Sequence, residues 1–175
     1  MFADPVKNLN QFAIEEDMVV ADLGAGTGFY TIAVAPLVPK GKVYAVEVIA
    51  DFLTTIRNKL KDAHLSNVEC ILGNVEKING TKLGSGIIDR VIASNVLFQI
   101  EDKSQFTDEI KRILKPAGKV LLIDWSDESP LGPKTEHVVT EKRAREIFEK
   151  KEFIFEREID AGEHHYGIIF RKINE

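Results

Sequence analysis

The stretch Val19–Thr31, Val-Val-Ala-Asp-Leu-Gly-Ala-Gly-Thr-Gly-Phe-Tyr-Thr, constrains this chain more than any other. Two β-branched residues lead into an acid, and glycines then fall at alternate positions, Gly24, Gly26 and Gly28. Glycine reaches backbone angles closed to other residues and lets a ligand approach the main chain. A strand ending in such a turn, with a helix starting just after, sets free N–H groups and a positive dipole end beside a bound molecule. A tight turn without a ligand is the bland alternative. Three glycines would be a large local sacrifice for that alone.

The rest of the chain repeats the theme. Met18–Leu23, Val43–Val48, Val68–Leu72, Ile87–Ala93 and Lys119–Asp124 are short apolar runs suited to buried parallel strands. Between them lie helix-compatible segments at Tyr30–Leu37 and Asp51–His64, and one around Phe106, Ile110, Ile113 and Leu114. Pro36, Pro39 and Gly41 stop the first, and Pro116-Ala117-Gly118 stops the third. Asp4-Pro5 reads as the cap and first turn of an N-terminal helix with a stripe of Val6, Leu9 and Ala13. Gly80–Gly86 is glycine-rich and reads as a surface loop, and Ser126–Val139 as a long loop of the kind that often carries function. Thr140 caps a helix with Ala144, Ile147 and Phe148 on one face. Phe153–Ile159 and Tyr166–Arg171 then form a hairpin about Asp160–Glu163.

Five rounds of strand and helix imply an α/β fold, a doubly wound, mostly parallel seven-stranded sheet (Rossmann-like) with an antiparallel last strand. The 175 residues fit one domain. Residues 1–17 form an N-terminal helix or lid, 18–125 a ligand-binding core, and 126–175 a loop, helix and closing hairpin. A net charge of −5 gives no electrostatic reason for a nucleic-acid or anionic-membrane partner. No apolar run reaches the roughly 20 residues that span a bilayer, and Met1–Pro5 lacks the regions of a signal peptide, so a cytoplasmic protein is expected. The single cysteine, Cys70, sits in an apolar run and reads as a buried, inert thiol.

In open sheets of this kind ligands bind beyond the carboxyl ends of the strands. That selects Asp22–Gly28, Glu47–Ile49, Asn74-Val75, Ser94–Phe98 and Asp124–Ser126. A dinucleotide fingerprint needs G-x-G-x-x-G. Gly24 and Gly26 fit, but Phe29 holds the third position, which argues against NAD. No G-x-x-x-x-G-K-[ST] is present. Glu47 ends the second strand, where a carboxylate accepts hydrogen bonds from both ribose hydroxyls or is simply solvated.

These motifs together resemble the class I S-adenosylmethionine-dependent methyltransferases, the broad small-molecule group that includes quinone-biosynthesis enzymes. Asp22–Gly28 is similar to that family's first motif and Val43–Glu47 to its second. Gly73-Asn74-Val75 falls at its adenine-contacting loop, Ile88–Leu97 at its fourth strand, and Leu114–Val120 at its turn into the fifth. The resemblance covers residues 4–172. It implies methyl transfer from S-adenosylmethionine to a small molecule by in-line displacement. It also implies a cofactor site of Asp22, Gly24, Ala25, Gly26, Gly28, Glu47, Val48, Ile49, Asn74, Val75 and Ser94. The Gly24–Gly28 backbone would follow methionine and ribose, with Asp22 near the amine. Glu47 would hold the ribose hydroxyls, Val48, Ile49, Asn74 and Val75 would meet adenine, and Ser94 the methionine end. Asn74 departs from the family's usual Asp. A non-catalytic S-adenosylmethionine-binding protein and an NAD-dependent oxidoreductase are the competing classes.

The chemistry needs mainly alignment of the nucleophile, worth roughly 7–11 kcal/mol in favourable cases. A general base enters only when the acceptor is protonated. Position alone puts His164 and His165 on the ligand rim, where one could act as that base. Trp125 would wall a pocket or belong to the core, and Phe2, Phe29 and Tyr30 are further wall or lid candidates. The histidines are too scattered in sequence for a metal site to be proposed.

Overall fold

The computed structural model describes residues 3–173, apart from the side chain of Thr135. Five strands, β1 (Val19–Leu23), β2 (Lys42–Glu47), β3 (Val68–Leu72), β4 (Ile88–Ser94) and β5 (Leu114–Trp125), pair in parallel. β6 (Phe153–Ile159) and β7 (His165–Lys172) complete a seven-stranded sheet of order β3-β2-β1-β4-β5-β7-β6, in which β7 is antiparallel to both its neighbours. The chain leaves β1 toward β2 on one side and later returns to β4 on the other. The crevice between β1 and β4 is therefore the switch point where such folds bind ligands.

Alternation along each strand divides the core into two layers. Val20, Ile92, Leu121, Ile123 and Ile169 pack with Leu9 of α1 (Pro5–Leu9), with Phe12, and with Tyr30 and Val34 of α2 (Phe29–Val34). Ala45 on the same face meets Leu53, Ile56 and Leu60 of α3 (Ala50–Asp62). The opposite face sets Val91, Val120, Leu122 and Phe170 against Phe106 and Ile110 of α4 (Lys103–Ile113) and Phe148 of α5 (Glu141–Glu149). Phe148 stacks flat on Phe170 at 4.5 Å and meets Phe153 edge-on at 5.4 Å.

Two local features differ from expectation, while the β3–β4 connection keeps the loop that Gly80–Gly86 implies. The N-terminal helix is only five residues long, Val6 is exposed, and Ala13 lies beyond the helix at φ 50°. Its buried side is Pro5, Asn8 and Leu9. No helix joins β3 to β4. That connection is held by the buried Glu109 carboxylate, which accepts from Asn79 N at 2.8 Å, Thr81 Oγ1 at 2.5 Å and Arg112. The fifth strand begins at Leu114 rather than Lys119. Its pairing with β4 jumps from Ile88–Leu114 to Arg90–Lys119, with Ala117 at φ 57°, so the Pro-Ala-Gly segment is an irregularity within the strand. Cys70 is half-buried, and burial pushes its thiol pKa up. Among the described residues no helix is long and apolar enough to cross a membrane.

Candidate functional site

Register brings a row of polar side chains to one rim of the sheet. Asp22 lies opposite Ala45 and Ile92, and Ser94 opposite Ile123, all facing α1–α3. Glu47 is two residues beyond Ala45, and Trp125, two beyond Ile123, pairs with His165. A period of two therefore aims Glu47, Asp22, Ser94 and the Trp125–His165 pair out of the same face. Asp22, Glu47, Ser94 and His165 border a cavity of about 790 Å³, within the roughly 300–1,000 Å³ of small-molecule sites.

The glycine turn forms its floor. Gly24 N and Ala25 N donate to Val46 O at 2.9 and 3.1 Å, tying the turn to β2. Gly26 and Gly28 have φ of 53° and 84°. A Cβ on Gly28 would meet Ile56 Cγ1 at 2.8 Å, whereas one on Gly26 would meet nothing within 4 Å. Gly28 thus lets α2 close on α3, and Gly26 borders open cavity.

Two buried acids flank this floor. Glu47, 6% exposed, accepts from Gly26 N at 2.8 Å through one oxygen and from Val48 N and Ile49 N at 2.8 and 3.1 Å through the other. These bonds lock its rotamer and, of the about four acceptor sites on a carboxylate, leave one on Oε2 for a ligand. Asp22 accepts from Thr31 Oγ1 at 2.6 Å. Burial raises its pKa to about 6, against the hydrogen bonds from Thr31 and with a further push from Glu47. No Lys or Arg lies among the described residues lining the cavity. It therefore favours ligands that bring positive charge and hydrogen-bond donors. Val48 and Ile49 are 62% and 47% exposed beside it, an apolar surface suited to a flat ring.

Of the sequence-derived set, Asp22, Gly24, Ala25, Gly26, Glu47, Val48, Ile49, Asn74, Val75 and Ser94 all border this one cavity. Gly28 does not and has a packing role. Asn74 Oδ1 accepts from Glu76 N at 2.9 Å, which fixes the loop after β3. His165 borders the cavity and His164 does not; His164 Nδ1 lies 3.2 Å from Ser129 Oγ. Phe29 and Tyr30 are wall residues, and Phe2 lies outside the described residues. Trp125 backs His165, its ring 4.4 Å from the imidazole, with Gly132 so close that a Cβ there would meet the indole at 2.5 Å.

Asn95 lies in the Ser94–Phe98 stretch selected from the sequence, where it was given no role of its own, and the structure brings it to the cavity. It sits at φ 55°, a conformation asparagine tolerates better than most residues, and it borders the cavity with its buried Oδ1 left without a partner. Its position one residue past a strand ending in Ser94 was the available signal. No signal in the sequence marked Asn8, whose Nδ2 donates to Oη of the wall residue Tyr30 at 2.8 Å. Among the described residues no group of three or more His, Cys, Asp or Glu is placed to hold a metal ion.

Known proteins agree with this architecture. A family profile described as a methyltransferase domain matches residues 14–168. Among curated relatives, the demethylmenaquinone methyltransferase of Geobacillus sp. (strain WCH70) is 29% identical over 130 residues, 74% of this chain and 53% of that one. The ubiquinone/menaquinone biosynthesis C-methyltransferase of Hahella chejuensis is 32% identical over 109 residues, 61% of this chain and 43% of that one. The chain thus spans about half the length of the curated relatives it matches. A solved SAM-dependent methyltransferase from Aquifex aeolicus superposes with a TM-score of 0.90 at 29% identity, covering 98% of this chain and 91% of that one. With the profile spanning most of the sequence and the glycine turn and strand-end acids where that fold binds its ligand, the chain belongs to the class I S-adenosylmethionine-dependent methyltransferases.

Proposed function

We propose that this protein transfers a methyl group from S-adenosylmethionine to a small-molecule acceptor, with the cavity at the β1–β4 crevice as its site. The observation that carries this reading is the pairing of two buried carboxylates with an open glycine floor. S-adenosylmethionine, when bound, supplies an electrophilic methyl on a sulfonium. The residues present fit it. Glu47 has one acceptor site left, on Oε2, for a ribose hydroxyl, Val48, Ile49, Asn74 and Val75 form a surface for adenine, and Gly26 leaves room beside its backbone. Asp22 and Ser94 would hold the methionine end, where a cationic amine offsets the cost of the buried Asp22 charge. Residues 18–125 hold the cofactor in this reading, while residues 1–17 and 126–175 shape the acceptor side of a single domain. A cytoplasmic protein belongs to the same proposal.

An oxidoreductase is disfavoured on electrostatic grounds. The pyrophosphate of NAD would lie at the Gly24–Gly28 turn beside the buried Asp22 carboxylate, and like charges in a partly desolvated site repel strongly. The names of the curated relatives make demethylmenaquinone the first acceptor to test. The test is formation of S-adenosylhomocysteine from S-adenosylmethionine across a panel of small phenols, quinols and amines. Acceptor-dependent turnover supports the proposal. Undiminished cofactor binding with no turnover across the panel would favour a non-catalytic binding protein instead.

A further inference from the structure

His165 is 6% exposed, borders the cavity, and has no hydrogen-bond partner at either ring nitrogen. A buried polar group without a partner carries an uncompensated desolvation cost. An imidazole kept in that condition beside a cavity is poised for a ligand. Its orientation is set from behind: the Trp125 ring lies 4.4 Å away at 33°, and Gly132 crowds the indole. Its neighbour His164 is turned to Ser129. Burial pulls the His165 pKa below its ordinary value, with His164 adding to that, so the ring is neutral near pH 7 and has a free nitrogen lone pair.

The surroundings narrow what that lone pair meets. The cavity wall carries the carboxylates of Asp22, Glu47 and Glu76 and no Lys or Arg among its described residues, which disfavours an anionic acceptor. Phe29, Tyr30 and Ile100 make it apolar and partly aromatic. We propose that His165 is the acceptor-side catalytic residue and that the acceptor is a neutral, weakly acidic hydroxyl on a planar ring or enol, which donates its hydrogen bond to the free imidazole nitrogen. In the transfer the acceptor oxygen forms its bond to the methyl carbon, and the carbon–sulfur bond of the sulfonium donor breaks with its electron pair going to sulfur. The hydroxyl proton passes to His165, which releases it to water. This inference rests on the methyl-transfer reading.

The test uses the protein loaded with S-adenosylhomocysteine, whose own binding is measured first by calorimetry. Its absence would overturn the methyl-transfer reading itself. Phenol and anisole are then titrated, with the His165 imidazole followed by nitrogen-15 NMR. One hydrogen bond, at about 0.5–1.5 kcal/mol, predicts phenol binding roughly 2–10-fold tighter than anisole, with a shift of the His165 ring signal for phenol only. His165→Phe, which keeps a flat ring behind the same wall, should erase the preference. His165→Gln, which keeps an acceptor, should restore part of it. Equal affinities in the wild type, binding of neither probe, or a preference that survives in His165→Phe would each overturn the assignment.

Discussion

Gly26 and Gly28 are two residues apart and do opposite work. Both sit at positive φ, but only Gly28 has a neighbour that a methyl group would strike. Gly26→Ala should therefore fold with a loss of about 1–2 kcal/mol, the cost of a left-handed alanine, and bind S-adenosylhomocysteine at least about tenfold more weakly because its methyl enters the ligand's space. Gly28→Ala adds the clash with Ile56 and should lose clearly more stability. Urea unfolding and calorimetry on both variants check the pair, and equal destabilisation with intact binding in Gly26→Ala would contradict the division. Asp22 makes a second residue-scale prediction. Its pKa is about 6 in the folded protein, raised from the ordinary 3.8, so the native state holds the proton more tightly than the unfolded chain. Stability is thus lost as pH rises from about 4 to 6, by about 3 kcal/mol in total. Asp22→Asn removes that loss. Its stability relative to wild type should climb through this window and level off above pH 7, as read by urea midpoints at each pH.

At the scale of elements, α1 is too short to stand alone, since helices below about 12 residues are marginal in water. It is held by Asp4, whose side chain accepts from Val6 N and Lys7 N, by the buried Asn8–Tyr30 bond, and by Lys7 and Gln11 reaching Asp160 in the turn before β7. Asn8→Ala should cost about 1–3 kcal/mol in urea unfolding and speed amide exchange in α1; an unchanged midpoint would mean that α1 is not docked through this bond. The same elements show what a sequence discloses. β3 and β6 have the boundaries their apolar runs imply, and Thr140 caps α5 by accepting from Arg143 N at 3.2 Å. Those signals are local. The bulged start of β5 and the tethering of the β3–β4 loop depend on partners far along the chain, Ile88 and Glu109, which no window of a few residues contains. The site was legible where it followed strand ends. His165 was separable from His164 only through the register with Trp125.

The whole molecule gathers acids from β1 and β2 and an imidazole from β7 onto one rim, joined by the shared face of the sheet. Two buried carboxyls with pKa values near 6, Asp22 and Asp124, store unfavourable charge at neutral pH; burial is the main cause in each. Ligand binding should repay part of it at Asp22. Saturation with S-adenosylhomocysteine at 100 times its dissociation constant adds about 2.7 kcal/mol, or about 5–10 °C in melting temperature for a chain of this size. A thermal melt with and without the ligand reads this directly.

Calorimetric titration with S-adenosylhomocysteine and, separately, with NAD bears most directly on the central assignment. One S-adenosylhomocysteine should bind per chain, weakened by roughly 1.5–3 kcal/mol in a folded Glu47→Ala variant that can no longer hold a ribose hydroxyl, and NAD should not bind. Binding of NAD alone, or an unchanged dissociation constant in Glu47→Ala, would contradict it.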